Sequence, residues 1–131
     1  YTDQGIMGKR PDRATIVYTQ ILKRLFPKVP VLIGGIEASL RRLAHYDYWD
    51  DKVRRSILMD SQADLLMFGM GENTIIEVAD ALNSGLQVQD LCYIRGTVWK
   101  TKSIDTIVDD YILLPDFTTV KKDKRPMRKA F

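Results

Sequence analysis

Two short segments of the same pattern, around residues 34–37 and 69–72, constrain the fold of this chain most strongly. In each, an apolar run ends at glycines, a glutamate follows, and apolar residues then recur at helical spacing. Such a pattern predicts a buried parallel strand that leads through a flexible turn into a helix. We therefore expect two successive β-turn-α units of one α/β sheet, with both turns at the carboxyl edge of the strands. Ligands bind at that edge in open α/β sheets.

The residues of these turns are candidates for binding a cofactor: Gly34, Gly35, Glu37, Gly69, Gly71 and Glu72. Glycine lets backbone N–H groups approach a ligand closely, and the amino terminus of a helix favours negative charge. The glutamates could then hydrogen-bond a hydroxyl or an amine. The alternative is plain turn chemistry, in which the glycines permit a sharp turn and the acids stabilise the helix starts. Neither turn has the full dinucleotide fingerprint or the lysine of a phosphate loop.

The stretch over residues 41–55 is dense in side chains that bind anions, stack or transfer protons. The candidates for a catalytic role are His45, Asp47 and Tyr48, none of them a firm assignment. The candidates for the substrate side are Arg41, Arg42, Tyr46 and Trp49. The only histidine, His45, could form an oriented acid/base pair with Asp47. The alternative is structural, with a buried histidine and with the arginines paired to Asp47, Asp50 and Asp51.

Composition favours one domain with a real core, because 45% of the 131 residues are hydrophobic. The apolar runs are far shorter than a membrane-spanning helix, and the first residues lack a secretory signal. A single cysteine, Cys92, excludes an internal disulfide and a multi-cysteine metal site, and we expect it to be a small core residue. These features predict a cytoplasmic protein that does not enter a membrane. Because the chain begins with Tyr1, we expect a segment of a longer protein.

Local signals predict the remaining elements. Pro11 and Asp12 indicate a helix start, and Gly85 indicates the end of the helix that follows the second turn. The further expectations are a helix over residues 50–60, a small β-hairpin over residues 93–99 and an apolar strand over residues 110–114. Basic residues then dominate the tail: Lys121, Lys122, Lys124, Arg125, Arg128 and Lys129. Such a tail is either a solvated helix or linker, or a surface that meets nucleic acid.

Several motifs together closely resemble the YgiQ-type radical SAM proteins. They lie at residues 9–14, at the Gly-Gly-Ile-Glu-Ala-Ser run of residues 34–39, at the His-Tyr-Asp-Tyr-Trp run of residues 45–49, and at residues 51–58, 69–72 and 111–115. The resemblance implies an accessory domain on the substrate or cofactor side of a radical SAM iron–sulfur enzyme. It also implies a downstream barrel that binds a [4Fe–4S] cluster and S-adenosylmethionine through a three-cysteine motif. That motif is absent here, so this segment alone is expected to be non-catalytic and to bind no metal.

The resemblance also implies a fold and its boundaries. We expect part of a doubly wound, flavodoxin-like or cobalamin-binding-like sheet of order 2-1-3-4-5, without its first two strands and with its third at residues 31–33. The accessory domain would cover residues 1–115, and a basic linker towards the downstream domain would cover residues 116–131. Leu43 and Tyr48 replace the Asp and Gly that flank a cobalamin-ligating histidine, so His45 would not ligate cobalamin.

The expected partners are the downstream radical SAM domain and an unknown substrate. The alternative function is a non-catalytic RNA- or protein-interaction module that uses the basic tail and the arginine-rich stretch. Steeply salt-dependent RNA binding would favour that module, because contacts to phosphates release counterions.

Overall fold

The computed structural model describes residue 8 and residues 11–105, 107 and 110–122. The α-helices are α1 (Ala14–Leu25), α2 (Gly35–Leu40), α3 (Ile57–Ser61), α4 (Glu72–Asn83) and α5 (Phe117–Lys122). The strands are β1 (Leu32–Ile33), β2 (His45–Asp47), β3 (Lys52–Arg54), β4 (Leu65–Met67) and β5 (Thr97–Val98). A 3-10 helix spans Val88–Tyr93. Within these residues, no helix is long and apolar enough to cross a bilayer.

The main sheet has the order β1-β4-β5 and mixes both strand directions. β1 pairs with β4 in parallel, with Leu32 opposite Leu65, which confirms the two predicted β-turn-α units. β5 pairs with β4 in the antiparallel sense. The sheet is therefore a small mixed α/β sheet, and the flavodoxin-like doubly wound order is not confirmed.

Helices cover both faces of this sheet. Successive residues of β4 point to opposite faces, so neighbouring residues contact different helices. Leu66 packs with Ile33, Ala38 of α2 and the buried residues of α3. Leu65 packs on the other face with Val78 and Ala81 of α4 and with Leu91 of the 3-10 helix. The short apolar runs of β1 and β4 are thus buried between two layers of helix.

The helices α1 and α4 form close to where the sequence places them. α1 begins at Ala14, shortly after Pro11, and ends just before Pro27, which has no backbone N–H for a further helical bond. α4 ends at Asn83, and Gly85 follows with a φ of +100°. The N–H of Gly85 then donates to the carbonyl of Leu82 at 3.2 Å, which closes the helix end.

The helix predicted over residues 50–60 is wrong in its first half, where β3 pairs with β2 in an antiparallel hairpin. The hairpin turn closes because the Asp47 carboxylate accepts hydrogen bonds from the N–H groups of Trp49 and Asp50. Such a local bond competes with helix formation. α3 begins only at Ile57, where the Ser56 hydroxyl caps it by accepting the N–H of Leu58 at 3.2 Å.

Of the hairpin predicted over residues 93–99, only the second strand forms, as β5. Gln87 and Asp90 form a capping box that starts the 3-10 helix, so Tyr93 ends a helix instead of starting a strand. Gly96, with a φ of +80°, then turns the chain into β5, which pairs with β4. Cys92 is exposed on the 3-10 helix and is not the core residue that we expected.

The apolar residues at positions 110–114 form no strand in the structure. Ile112 and Leu113 keep 88% and 76% of their surface exposed, and no strand of the described part of the chain pairs with this segment. The chain then enters α5, whose Val120 is buried and which contacts β3. Residues 123–131, most of the predicted basic tail, lie outside the described residues.

Candidate functional site

The two glycine-rich turns meet at the carboxyl edge of the parallel strands. β1 and β4 are direct neighbours, so the turns that follow them leave the sheet side by side. The Ser39 hydroxyl joins them: it accepts the N–H of Gly69 at 3.0 Å and donates to the carbonyl of Gly35 at 2.8 Å. A Cβ atom at Gly34 would lie 3.4 Å from the carbonyl oxygen of Met67, and one at Gly71 would lie 3.9 Å from Met67 Cβ.

The two glutamates of the turns have different surroundings. Glu37 is half-buried; it accepts a hydrogen bond from Thr15 of α1 at 2.6 Å and lies 3.6 Å from the Arg41 guanidinium. Glu72 is the first residue of α4 and is exposed to solvent. Glu37 therefore supports the packing of α1 on α2, whereas the carboxylate of Glu72 is open to a ligand.

Asp47 anchors the turn between β2 and β3. Its side chain is only 2% exposed and lies 2.6 Å from the Arg13 guanidinium and 3.5 Å from that of Arg54. Burial acts to raise the pKa of the Asp47 carboxyl, but the N–H groups of Asp50 and Trp49 and the two arginines outweigh it, so the pKa falls below its usual value. Asp47 is thus ionised, and its hydrogen bonds and ion pairs hold the hairpin turn in place.

The tip of this hairpin presents two aromatic side chains to solvent. Tyr48 is 89% exposed and Trp49 is 80% exposed, although the backbone between them is held by Asp47. Tyr46 lies beside them, and its hydroxyl donates to the Asp51 carboxylate, which raises the pKa of the Tyr46 phenol. The structure therefore places Tyr48 and Trp49 on one short, well-anchored turn, with Tyr46 on the adjoining strand β2.

His45 is the first residue of β2, and it is 8% exposed. Its Nδ1 atom is 3.0 Å from the carbonyl oxygen of Leu43, which selects the tautomer with the proton on Nδ1 in the neutral ring. Burial lowers the pKa of His45, and that effect exceeds the opposing effects of the Leu43 carbonyl and the Asp47 charge. The ring is therefore neutral at physiological pH. A catalytic role for His45 with Asp47 and Tyr48 stays a prediction.

The arginines of the stretch are engaged within the domain. Arg54 pairs with Asp47, Asp50 and Asp60, as expected for a network within this stretch. The other three have partners outside the hairpin: Arg41 pairs with Glu37, Arg55 pairs with Asp60, and Arg42 contacts the Ser39 carbonyl and stacks over the Phe68 ring at 5.1 Å. These arginines are therefore engaged by partners within the domain.

Sequence reasoning missed Arg13, which completes the hairpin network. It reaches both Asp47 and Asp50, at 2.6 and 2.7 Å, from the residue that precedes α1. No local pattern indicates this pairing, because Arg13 and Asp50 are 37 residues apart.

The described residues contain no cluster of three or more His, Cys, Asp or Glu side chains that could hold a metal ion. A [4Fe–4S] cluster needs several thiolates, and the full sequence has one cysteine. The donor set of this chain does not fit such a cluster.

Comparison with known proteins gives a consistent assignment. The chain is 54% identical over 131 residues to a UPF0313 protein of Clostridium perfringens and 51% identical over 122 residues to one of Methanocella arvoryzae. It is 59% identical over 99 residues, 76% of this chain, to a UPF0313 protein of Thermotoga neapolitana. The first two matches cover 100% and 93% of this chain but 20% of each relative, and the third covers 18% of its relative.

The chain thus spans about a fifth of the length of these curated relatives. No solved structure matches it. The sequence profile described as "Radical SAM N-terminal" matches residues 1–131, the whole of the chain. This chain therefore belongs to the radical SAM N-terminal family.

Proposed function

We propose that this chain is an accessory domain of a larger radical SAM iron–sulfur enzyme and borders the substrate or cofactor side of its active site. Membership of the radical SAM N-terminal family supports this role. The share of each relative that the chain covers, about a fifth, leaves most of the length for a catalytic domain. The [4Fe–4S] cluster and S-adenosylmethionine would then belong to that other domain, because a single cysteine cannot hold the cluster.

The observation that carries the proposal is the pair of exposed aromatic side chains on an anchored turn. Tyr48 and Trp49 are almost fully exposed, while the carboxylate of Asp47 beneath them has four partners. Exposure of large aromatic surfaces to water is unfavourable, and Trp and Tyr are enriched among the residues that dominate binding interfaces. Because the turn is already ordered, a partner or substrate that covers the rings loses little conformational freedom of the backbone on binding.

The glycine turns and Glu72 suit a supporting role at the carboxyl edge of β1 and β4. Gly34, Gly35, Gly69 and Gly71 carry no side chain between the backbone and a ligand at the carboxyl edge of β1 and β4. The exposed Glu72 carboxylate would accept a hydrogen bond from a hydroxyl or an amine. Trp49 would stack on a planar group of the ligand, and the Tyr48 hydroxyl would donate or accept a hydrogen bond.

The test uses the full-length protein with its cluster and S-adenosylmethionine. The readouts are reductive formation of deoxyadenosine and the melting temperature. We expect Tyr48→Ala combined with Trp49→Ala to lower the rate at least about tenfold, as for the loss of a binding hot spot. The melting temperature should stay unchanged, because both side chains are exposed.

Tyr93→Ala is the matched control, since Tyr93 is also exposed, at 59%, but lies at the end of the 3-10 helix. An equal loss of rate in the control, or an unchanged rate in the double variant, would contradict the proposal. Binding of RNA with a steep salt dependence, together with an unchanged rate, would instead favour the interaction module.

A further inference from the structure

A broad apolar groove lies between the segments that flank the β2–β3 hairpin, residues 42–44 and 55–59, and the chain from β5 to α5. Its volume is about 830 Å³, within the range of sites that hold small organic molecules. The apolar wall comes from residues far apart in the sequence: Leu58, Val98, Trp99, Leu114, Phe117 and Val120. Arg42 is the only predicted site residue that lines it, so the groove is distinct from the glycine turns and the hairpin tip.

Among the residues that the structure describes, the charged ones that line this groove are all basic: Arg42, Arg55, Lys100 and Lys102. Two of them are already engaged, since Arg55 lies 2.9 Å from Asp60 and Arg42 contacts the Ser39 carbonyl and the Phe68 ring. Lys100 and Lys102 form no ion pair with any other described residue. Their ammonium groups therefore remain available beside an apolar wall.

We propose that this groove binds a small organic anion with an apolar, planar body and one carboxylate, phosphate or sulfonate group. The rings of Trp99 and Phe117 and the aliphatic side chains would contact the body and remove it from water. Lys100 and Lys102 would pair with the acidic group through charge-assisted hydrogen bonds. A neutral molecule of the same shape would gain the contacts with the apolar wall but not the pairing with the lysines. The inference does not rest on the proposed function.

The test uses two fluorescent probes that differ by one sulfonate group: anilinonaphthalene sulfonate and its uncharged parent, phenylnaphthylamine. We expect the sulfonate to bind the 131-residue chain saturably and at least about tenfold more tightly than the parent. NMR of the two tryptophan indoles then locates the site. The indole signal of Trp99, in the groove, should shift on binding, and that of Trp49, at the hairpin tip, should not.

Charge-matched variants test the role of the lysines. Lys100→Gln combined with Lys102→Gln should weaken binding of the sulfonate about tenfold and leave binding of the neutral parent unchanged. Arg24→Gln combined with Lys28→Gln removes the same charge from exposed positions outside the groove and should change neither.

Three outcomes would overturn the proposal: no saturable binding of the sulfonate, equal weakening by the two double variants, or a shift of the Trp49 indole in place of Trp99. All four substituted side chains are exposed, so we expect the glutamine variants to stay folded and the binding data to be interpretable.

Discussion

At the scale of single residues, Asp47 links the local chemistry of the hairpin to the rest of the domain. It joins the N–H groups of its own turn to Arg13, from the start of α1, and to Arg54 of β3. A carboxylate that is 2% exposed is stable in its ionised form only when its partners replace the lost water. Asp47 meets that condition, and Asp50, at 38% exposure, shares the same arginines with less burial.

We predict that Asp47→Asn lowers the free energy of unfolding by about 3 kcal/mol, because two guanidinium groups lose a buried anionic partner. Asp50→Asn, in the more exposed half of the network, should cost less than about 1 kcal/mol. Urea unfolding at neutral pH measures both values. Equal losses for the two variants would show that burial of Asp47 has no energetic role.

Acid should remove this stabilisation in a defined direction. The pKa of Asp47 is lowered in the folded state, so its contribution is complete above the unfolded value of about 3.9. That contribution is lost as the pH falls from there through the folded-state pKa. The difference in stability between the wild type and Asp47→Asn should therefore shrink at strongly acidic pH. A difference that stays constant with pH would contradict the assigned pKa direction.

The single histidine permits a direct measurement of a second pKa. Burial lowers the pKa of His45, so the folded protein resists protonation and stability should fall as the pH drops below about 6.5. NMR titration of the only imidazole should give a midpoint below 6.5. A midpoint at or above that value would indicate that the ring is solvated or paired with Asp47.

At the scale of secondary-structure elements, the two glycines of the first turn have different conformations and different roles. Gly35 has a φ of +86°, a left-handed conformation that residues with a Cβ atom adopt only with strain. Gly34 has a φ of −161°, which is extended backbone open to any residue. Only the second glycine is therefore required by the conformation of the turn.

We predict that Gly35→Ala destabilises the protein by about 1 kcal/mol, and that Gly34→Ala changes stability by less than half of that. The Cβ atom of Gly34→Ala would meet Met67 at an ordinary contact distance of 3.4 Å. Thermal unfolding of both variants provides the comparison. If ligand binding is lost in Gly34→Ala while stability is kept, Gly34 serves close approach to a ligand and not the turn.

At the scale of the whole molecule, much of the apolar surface is uncovered. Thirteen apolar residues are buried, whereas twenty large apolar side chains among the described residues are exposed. Ile36 and Met70, at 80% and 87% exposure, lie at the carboxyl edge where the two turns meet, and Leu40, at the far end of α2, is 65% exposed. Within the described residues, β1 has a strand neighbour on one side only. Exposed apolar surface and an open strand edge both favour association with another surface.

We predict that the 131-residue chain by itself associates as its concentration rises, with β1 as part of the contact. Size-exclusion chromatography with light scattering measures the mass. Hydrogen exchange at low and high concentration should show new protection at Leu32 and Ile33, with Ile76 on the exposed side of α4 as an internal control. A monomer at high concentration with both β1 amides already protected would show that β1 is not an open edge.

The sequence by itself determined the features that depend on residues within one or two turns of each other. Apolar runs ending at glycine predict β1, β4 and their turns. Helical spacing predicts α1, between Pro11 and Pro27, and α4, which ends before Gly85. The meeting of the two turns also follows, because successive β-turn-α units tend to place parallel strands side by side. The exposure of Tyr48 and Trp49 does not follow, because aromatic residues are compatible with a core as well as with a surface.

Only the tertiary structure decided the features that depend on distant partners. Residues 50–60 suit a helix locally, but pairing of β3 with β2 and the ion pairs from Arg13 to Asp47 and Asp50 stabilise a hairpin there. The antiparallel direction of β5 likewise comes from its hydrogen bonds to β4. The groove brings α3, Trp99 and α5 together although no local pattern relates them. Local propensities differ by tenths of a kcal/mol to about 1 kcal/mol per residue, so long-range pairing and burial decide between alternatives that the sequence leaves nearly equal.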